Sequence, residues 1–229
     1  MTVKRIVAPN KFIGASTDTK PTQATLPRAR VGDTFYEQDT GLWFITYDGT
    51  NWVSKQDPLS NKIKEVRVTK VIDGGLGAYE ANDVVSNEDC CSTTATCWTF
   101  SEVARANGAY GKIVGATIVS ESEGVVPVLT LFLFNATPTS NLIDNAANTA
   151  PDCNDLAKYV GKIVFPALVS LGTTDSTSTI TPSLATGNLP LAFKCASDAD
   201  DLFGILVTST IFTQTAGDDM TVILLVEQH

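Results

Sequence analysis

Short runs rich in Val, Ile, Thr and aromatic residues recur along this chain between clusters of Gly, Asn and Asp, and that punctuation predicts strands rather than helices. The expected strands cover 65–72, 99–104, 113–120, 126–134, 163–170, 202–210 and 220–227, with weaker ones at 79–85, 178–181 and 189–193. Nearly every residue from 128 to 134 is apolar, and 220–226 repeats the pattern, so both predict central strands covered on both faces. So many short strands in one long body favour an all-β fold, an antiparallel β-sandwich or jelly roll, because a βαβ fold would demand helices that the pattern does not offer. The longest interruption is 135–161. Within it, Pro151 to Tyr159 predicts a helical turn with an acidic start, and the Thr, Asn and Ala before it predict a surface excursion suited to partner contact.

A different pattern precedes the body. In the cassette GDTFYEQDTGLWFITYDGTNWV, residues 32–53, two short β-rich runs and part of a third are separated by turns at Asp39-Thr40-Gly41 and Asp48-Gly49. Trp43 and Trp52 are the expected anchors of a miniature core. Such a unit is marginal alone and should rest on a neighbour. Residues 1–31, with Pro9, Pro21 and Pro27 among Gly, Ser, Thr and Lys, predict an extended arm that orders only against something else. The expected organisation is therefore an extended basic arm at 1–31, a small aromatic β-hairpin module at 32–53, a linker at 54–62 and the β body at 63–229.

Charge sharpens this division. Residues 1–30 carry six basic residues, Arg28 and Arg30 among them, against Asp18 alone; the rest of the chain carries ten basic and twenty-four acidic residues. A basic arm suits an acidic protein surface, while the acidic body argues against nucleic acid as the main ligand. A charged content of 18% is low for an exposed globular surface, so that surface is rich in Thr, Ser and Asn or is covered by partners. No apolar run approaches a membrane span, and no signal-peptide core follows the basic N-terminus.

Catalytic patterns find little support. Asp39-Thr40-Gly41 matches the aspartic-protease triplet, but that chemistry needs two facing aspartates and an apolar strand before each, where this chain has one triplet after Glu37-Gln38. The one histidine, His229, is terminal and lacks the orientation a general base needs. Glu121 and Glu123 predict a polar turn rather than a glycosidase pair; Asp198, Asp200 and Asp201 predict a solvated turn, with weak calcium binding as the alternative. Asp73-Gly74-Gly75-Leu76-Gly77 lacks the lysine and helix of a phosphate cradle. Trp98 and Phe100 predict core packing, with a sugar platform as the alternative. The five cysteines, Cys90, Cys91, Cys97, Cys153 and Cys195, leave at least one thiol unpaired in a monomer; a Cys91–Cys97 disulfide remains open, and zinc is disfavoured by the absence of a CxxC pair and a nearby histidine. No cofactor or metal is expected, and no enzyme.

Three stretches resemble virion structural proteins of tailed bacteriophages, especially head decoration and head-fibre proteins. They are Lys20-Pro21 ahead of GDTFYEQDTG at 32–41 and YDGTNW at 47–52; YEANDVVS at 79–86; and Gly115-Ala116 followed by LFLFNATP at 131–138. The resemblance implies a noncatalytic protein decorating the capsid exterior, assembled in the host cytoplasm and anchored through its N-terminal region. Its implied partners are the major capsid protein or another virion protein, and further copies of itself, with a trimer as one arrangement. On this basis Lys20, Pro21, Phe35, Tyr36, Trp43 and Trp52, with Arg28 and Arg30 of the basic arm, form the candidate docking region, while Asp83 and Phe134 help define the body. The alternative is a carbohydrate- or receptor-binding module of a phage tail or fibre.

Overall fold

The computed structural model of the chain describes residues 9–55, 62–72, 77–87, 95–183, 189–215 and 217–229. The chain divides into two compact units, Met1–Ser60 and Asn61–His229.

The first unit is a four-stranded sheet in the order β1-β2-β3-β4, built from Lys11–Gly14, Thr34–Glu37, Trp43–Thr46 and Trp52–Ser54. The cassette supplies the antiparallel strands β2 to β4, with Phe35 opposite Phe44 and Thr46 opposite Trp52. The segment expected to be an extended arm is folded from residue 9 onward, which makes the module larger than a hairpin. Its β1 lies parallel to β2, with Lys11 opposite Thr34. The ordering agent is Asp33, whose fully buried carboxylate accepts hydrogen bonds from the Asn10 amide at 2.6 Å, the Asn10 side chain at 3.0 Å and the Arg30 amide at 2.8 Å. A carboxylate removed from water must find such donors, and here they lie at both ends of the arm. Residues 1–8, with Lys4 and Arg5, and most of the expected linker, 56–61, fall outside the described residues.

The body has two sheets. One has the order β10-β9-β14-β6, with β7 also paired to β14; these are Tyr159–Val164, Leu129–Phe134, Leu202–Thr208, Val84–Val85 and Trp98–Phe100. The other has the order β11-β12-β8-β15-β5, with β13 paired to β8; these are Val169–Ser170, Ser176–Ile180, Tyr110–Ser120, Asp219–Gln228, Lys62–Val71 and Leu191–Lys194. Among the described residues every strand pairing in the body is antiparallel. Alternation places Leu129, Leu131 and Leu133 of one sheet and Met220, Val222, Leu224 and Val226 of the other in a single buried core, together with Trp98, Phe100 and Ile118. The body is thus sandwich-like, as expected, and among the described residues neither sheet closes on itself.

The two strands expected to be central hold those places, β9 between β10 and β14, β15 between β8 and β5. Their outer faces differ. In β9 the outward Phe134 joins Val84, Ile205 and Val207 in a second buried cluster, against which Phe132, Leu142 and Ala150 also pack. In β15 only alternate residues are buried, so the expectation of two covered faces fails there.

The loop 136–158 makes the difference by folding back over β9 and β14. Asp83 bridges Ala147, and Asn148 donates its amide to the Asn82 carbonyl at 2.9 Å. Two buried carboxylates fasten this lid. Asp144 accepts from the Tyr79 hydroxyl at 2.8 Å and the Ser86 amide at 2.7 Å. Asp155, in the short 3-10 turn Cys153–Asp155, accepts from the amides and hydroxyls of Thr139 and Ser140 at 2.7 to 3.0 Å. Burial alone would raise the Asp155 pKa, but the bonds from Ser140 and Thr139 outweigh it and hold the carboxyl well below the usual range.

Two substitutions test this packing. Asp155→Ala leaves four lid donors unmatched and should cost about 2–4 kcal/mol in urea unfolding at pH 7. Because the folded pKa is depressed, the native contribution is complete above the unfolded value of about 3.9 and is lost only as pH falls below it, so the gap between wild type and variant should close in acid. Gly204→Ala should cost about 1–3 kcal/mol, since an added Cβ would lie 2.8 Å from Leu131 Cδ1 and 3.1 Å from Phe100 Cε2.

Candidate docking region

The register of the N-terminal sheet sorts the candidate residues onto two faces. Phe12, Phe35 and Phe44 are in register across one face of the sheet, and Trp52, opposite Thr46, lies on the same face. Phe35 is 3% exposed, and its ring meets Trp52 edge-on at a centroid distance of 6.0 Å, as Phe12 does at 6.2 Å. The segment between β1 and β2 covers this face. Trp52 donates its indole N–H to the Pro21 carbonyl at 2.6 Å, and the Gln23 side chain donates to the Asp48 carbonyl at 2.7 Å. Lys20 reaches in from the same segment, with Nζ 4.2 Å from the Phe44 ring centroid and 2.5 Å from Glu37 Oε1. The Lys20 bond, with one from Thr40, holds the buried Glu37 carboxyl below its ordinary pKa. Phe35 is therefore buried at the centre of this unit, with the half-buried Lys20, Pro21 and Trp52 packed around it.

Tyr36 and Trp43 are on the other face, a cross-strand pair whose rings are 4.8 Å apart. Ile13, Ile45 and Val53 share that face by register. Ile13 is 64% exposed, Val53 51% and Trp43 43%, while Tyr36 and Ile45 are half-buried. Sequence reasoning missed these three aliphatic residues; the signal was their alternation with Phe12, Phe44 and Trp52. The exposed Lys11 falls on this face at one edge strand, and Lys55, also exposed, follows Val53 at the other, its amide bonded to the Trp43 carbonyl. Arg28 and Arg30 are exposed on the covering segment, beside buried Ala29.

The turns behave as turns. Asp39 accepts from the Ser16 amide at 2.8 Å and the Ser16 hydroxyl, and Gly41 takes a φ of 71°, a left-handed conformation that glycine adopts without strain. Asp48 accepts from the Asn51 and Thr50 amides, which push its pKa down to about 2.

In the body, Trp98 is 1% exposed and donates its N–H to the Val85 carbonyl at 3.1 Å, so it offers no sugar platform. Tyr110 is exposed, with the Lys194 ammonium 5.2 Å from its ring centre. Asp201 accepts from the Glu102 amide at 3.0 Å, Glu121 from the Asp219 amide at 3.1 Å and Asp218 from the Ser122 hydroxyl at 2.7 Å, so these acids brace turns. Among the described residues no group of three or more His, Cys, Asp or Glu is placed to hold a metal ion. Cys97, Cys153 and Cys195 are free thiols; Cys90 and Cys91 lie outside the described residues, as do residues 73–76 of the glycine-rich loop. Burial, with Asp200 and Asp201 nearby, raises the Cys195 thiol to about 11, so it stays protonated and unreactive at neutral pH. Among the described residues no helix is long and apolar enough to cross a membrane, a statement that does not bear on β-barrels.

No protein-family model matches the chain, and no curated protein does. Among solved structures, the capsid of Ralstonia phage GP4 is similar at 12% identity and a TM-score of 0.37, covering 76% of this chain and 89% of that one. A likeness this distant leaves the function to the residues themselves.

The two faces should respond differently to truncation. Phe35→Ala should destabilise the N-terminal unit by about 3–5 kcal/mol, and Trp43→Ala by less than about 1 kcal/mol, in thermal melts of the full chain. The ionised Asp48 supports its turn fully above about pH 4 and loses that role as pH falls toward 2, which a carboxyl NMR titration would follow.

Proposed function

We propose that this chain is a noncatalytic virion structural protein that decorates a phage capsid exterior and is anchored through its N-terminal unit. The observation that carries the reading is the open apolar face of the N-terminal sheet, where Trp43 and Tyr36 are flanked by Ile13 and Val53 and edged by Lys11 and Lys55. A sheet this small gains little by leaving aromatics in water, whereas rigid aromatic side chains on a flat surface are effective anchors for another protein. The charged groups on this face are cationic, and Arg28 and Arg30 add exposed cations on the covering segment, which suits an acidic partner surface. The resemblance of 20–52 to head decoration proteins points to the major capsid protein or another virion protein as that partner. Phe35, Trp52, Pro21 and Lys20 contribute indirectly, by fixing the sheet that presents Tyr36 and Trp43.

Reconstitution of the full chain on purified undecorated capsids tests the reading. The double substitution Tyr36→Ala and Trp43→Ala should weaken binding by at least about tenfold with the protein still folded. Arg28→Glu with Arg30→Glu should slow association more than it speeds release, and the difference should shrink in high salt. Capsid binding by the aromatic double variant at wild-type affinity would reject docking through this face.

A further inference from the structure

The body closes one of its sheets and leaves the other open. Over β9 and β14 the loop 136–158 seals a second apolar cluster. On the far side of the sandwich, the outward residues of β12, β8, β15 and β5 remain half-buried or exposed: Thr117, Val119, Thr221 and Ile223 are half-buried and Leu225 is 39% exposed. Across β8 and β15 these β-branched and apolar side chains are in register, Thr221 opposite Val119 and Ile223 opposite Thr117, the composition of a sheet face that packs against another sheet, while β5 sets Thr69, Arg67 and Glu65 opposite Thr221, Ile223 and Leu225.

Three properties fit a second copy of this chain as the occupant. The first is charge. Residues 61–229 carry nineteen acidic and nine basic residues, so two bodies repel over most of their surface. On this face most charges are matched locally, with Arg67 bonded to Glu65 at 2.8 Å and Lys112 in register with Glu227, and Asp219 at one end is the acid left over. The second is the state of the hydroxyls. Thr69 pairs with Thr221 at 2.8 Å and Thr117 with Thr179 at 3.1 Å, so these groups can leave water with a hydrogen bond already made. The third is size. Three strands of ten or eleven residues and the five-residue β12, spaced about 4.8 Å apart and rising roughly 3.3 Å per residue, present about 570 Å². That is near the roughly 800 Å² per partner of a standard protein interface.

We propose that the outer face of β12-β8-β15-β5 is a self-association surface, on which a second copy of the chain packs sheet against sheet. The surface belongs to the body, and self-association through it calls for no partner on the N-terminal face.

Sedimentation equilibrium of the full chain over a range of concentrations tests this. The wild type should associate with a micromolar or tighter dissociation constant. Leu225→Glu and Thr117→Glu, each placing a carboxylate at the centre of the face, should each weaken association by at least about tenfold. Circular dichroism melts identify any variant that fails to fold, and Thr69→Lys, a substitution at an exposed position, supplies an independent probe. The aromatic double variant of the N-terminal face should associate as the wild type does. A wild-type chain that is monomeric at every concentration overturns the proposal. So does association unaffected by the face variants, or lost instead with Tyr36→Ala and Trp43→Ala, which would place the contact on the N-terminal unit.

Discussion

Buried aspartates in search of hydrogen-bond donors hold the irregular parts of this protein to its strands. An ionised carboxylate taken out of water is tolerated only when several donors converge on it, so each one fixes the path of whatever chain supplies them. Asp33 draws residues 10 and 30 together and thereby folds the segment between them onto the N-terminal sheet. Asp144 and Asp155 do the same for the lid of the body, one gripping Tyr79 and Ser86, the other Thr139 and Ser140. Without these three groups the strands would still alternate correctly, but both coverings would lose what seats them.

The strands themselves were largely legible because their signal is local. Alternation located β5, β8, β9, β14 and β15 within a few residues, and the near-continuous apolar run of β9 correctly announced two covered faces. The similar run in β15 misled, because Ile223 and Leu225 are apolar without being covered. β1 was illegible for the opposite reason: four residues carry little pattern, and its parallel partner β2 begins more than twenty residues later. The carboxylate anchors were missed as well, since an aspartate in a loop has the same appearance in sequence whether it is solvated or surrounded by donors.

The candidate docking region was legible as a set of residue types but not as a surface. Its aromatics stand out in the sequence, yet which of them face outward depends on register and on the covering segment. That segment turned Phe35 and Trp52 into supports, while the same pleat brought Ile13 and Val53 beside Trp43. Both units thus show one economy of construction: the N-terminal sheet and the body sheet that holds β15 are each closed by their own chain on one side, and the other side is left with side chains that water solvates poorly.

The three tryptophans occupy three environments: Trp98 in the core of the body, Trp52 half-buried and bonded to Pro21, and Trp43 on an open face. Indole emission shifts with the polarity around the ring, and a dissolved quencher reaches only rings that meet solvent. The protein therefore carries an intrinsic optical reporter, in which the red-edge, quencher-accessible fluorescence comes chiefly from Trp43 and the blue, protected emission from Trp98. Any event that covers the N-terminal face would register as a loss of the first against a constant background of the second.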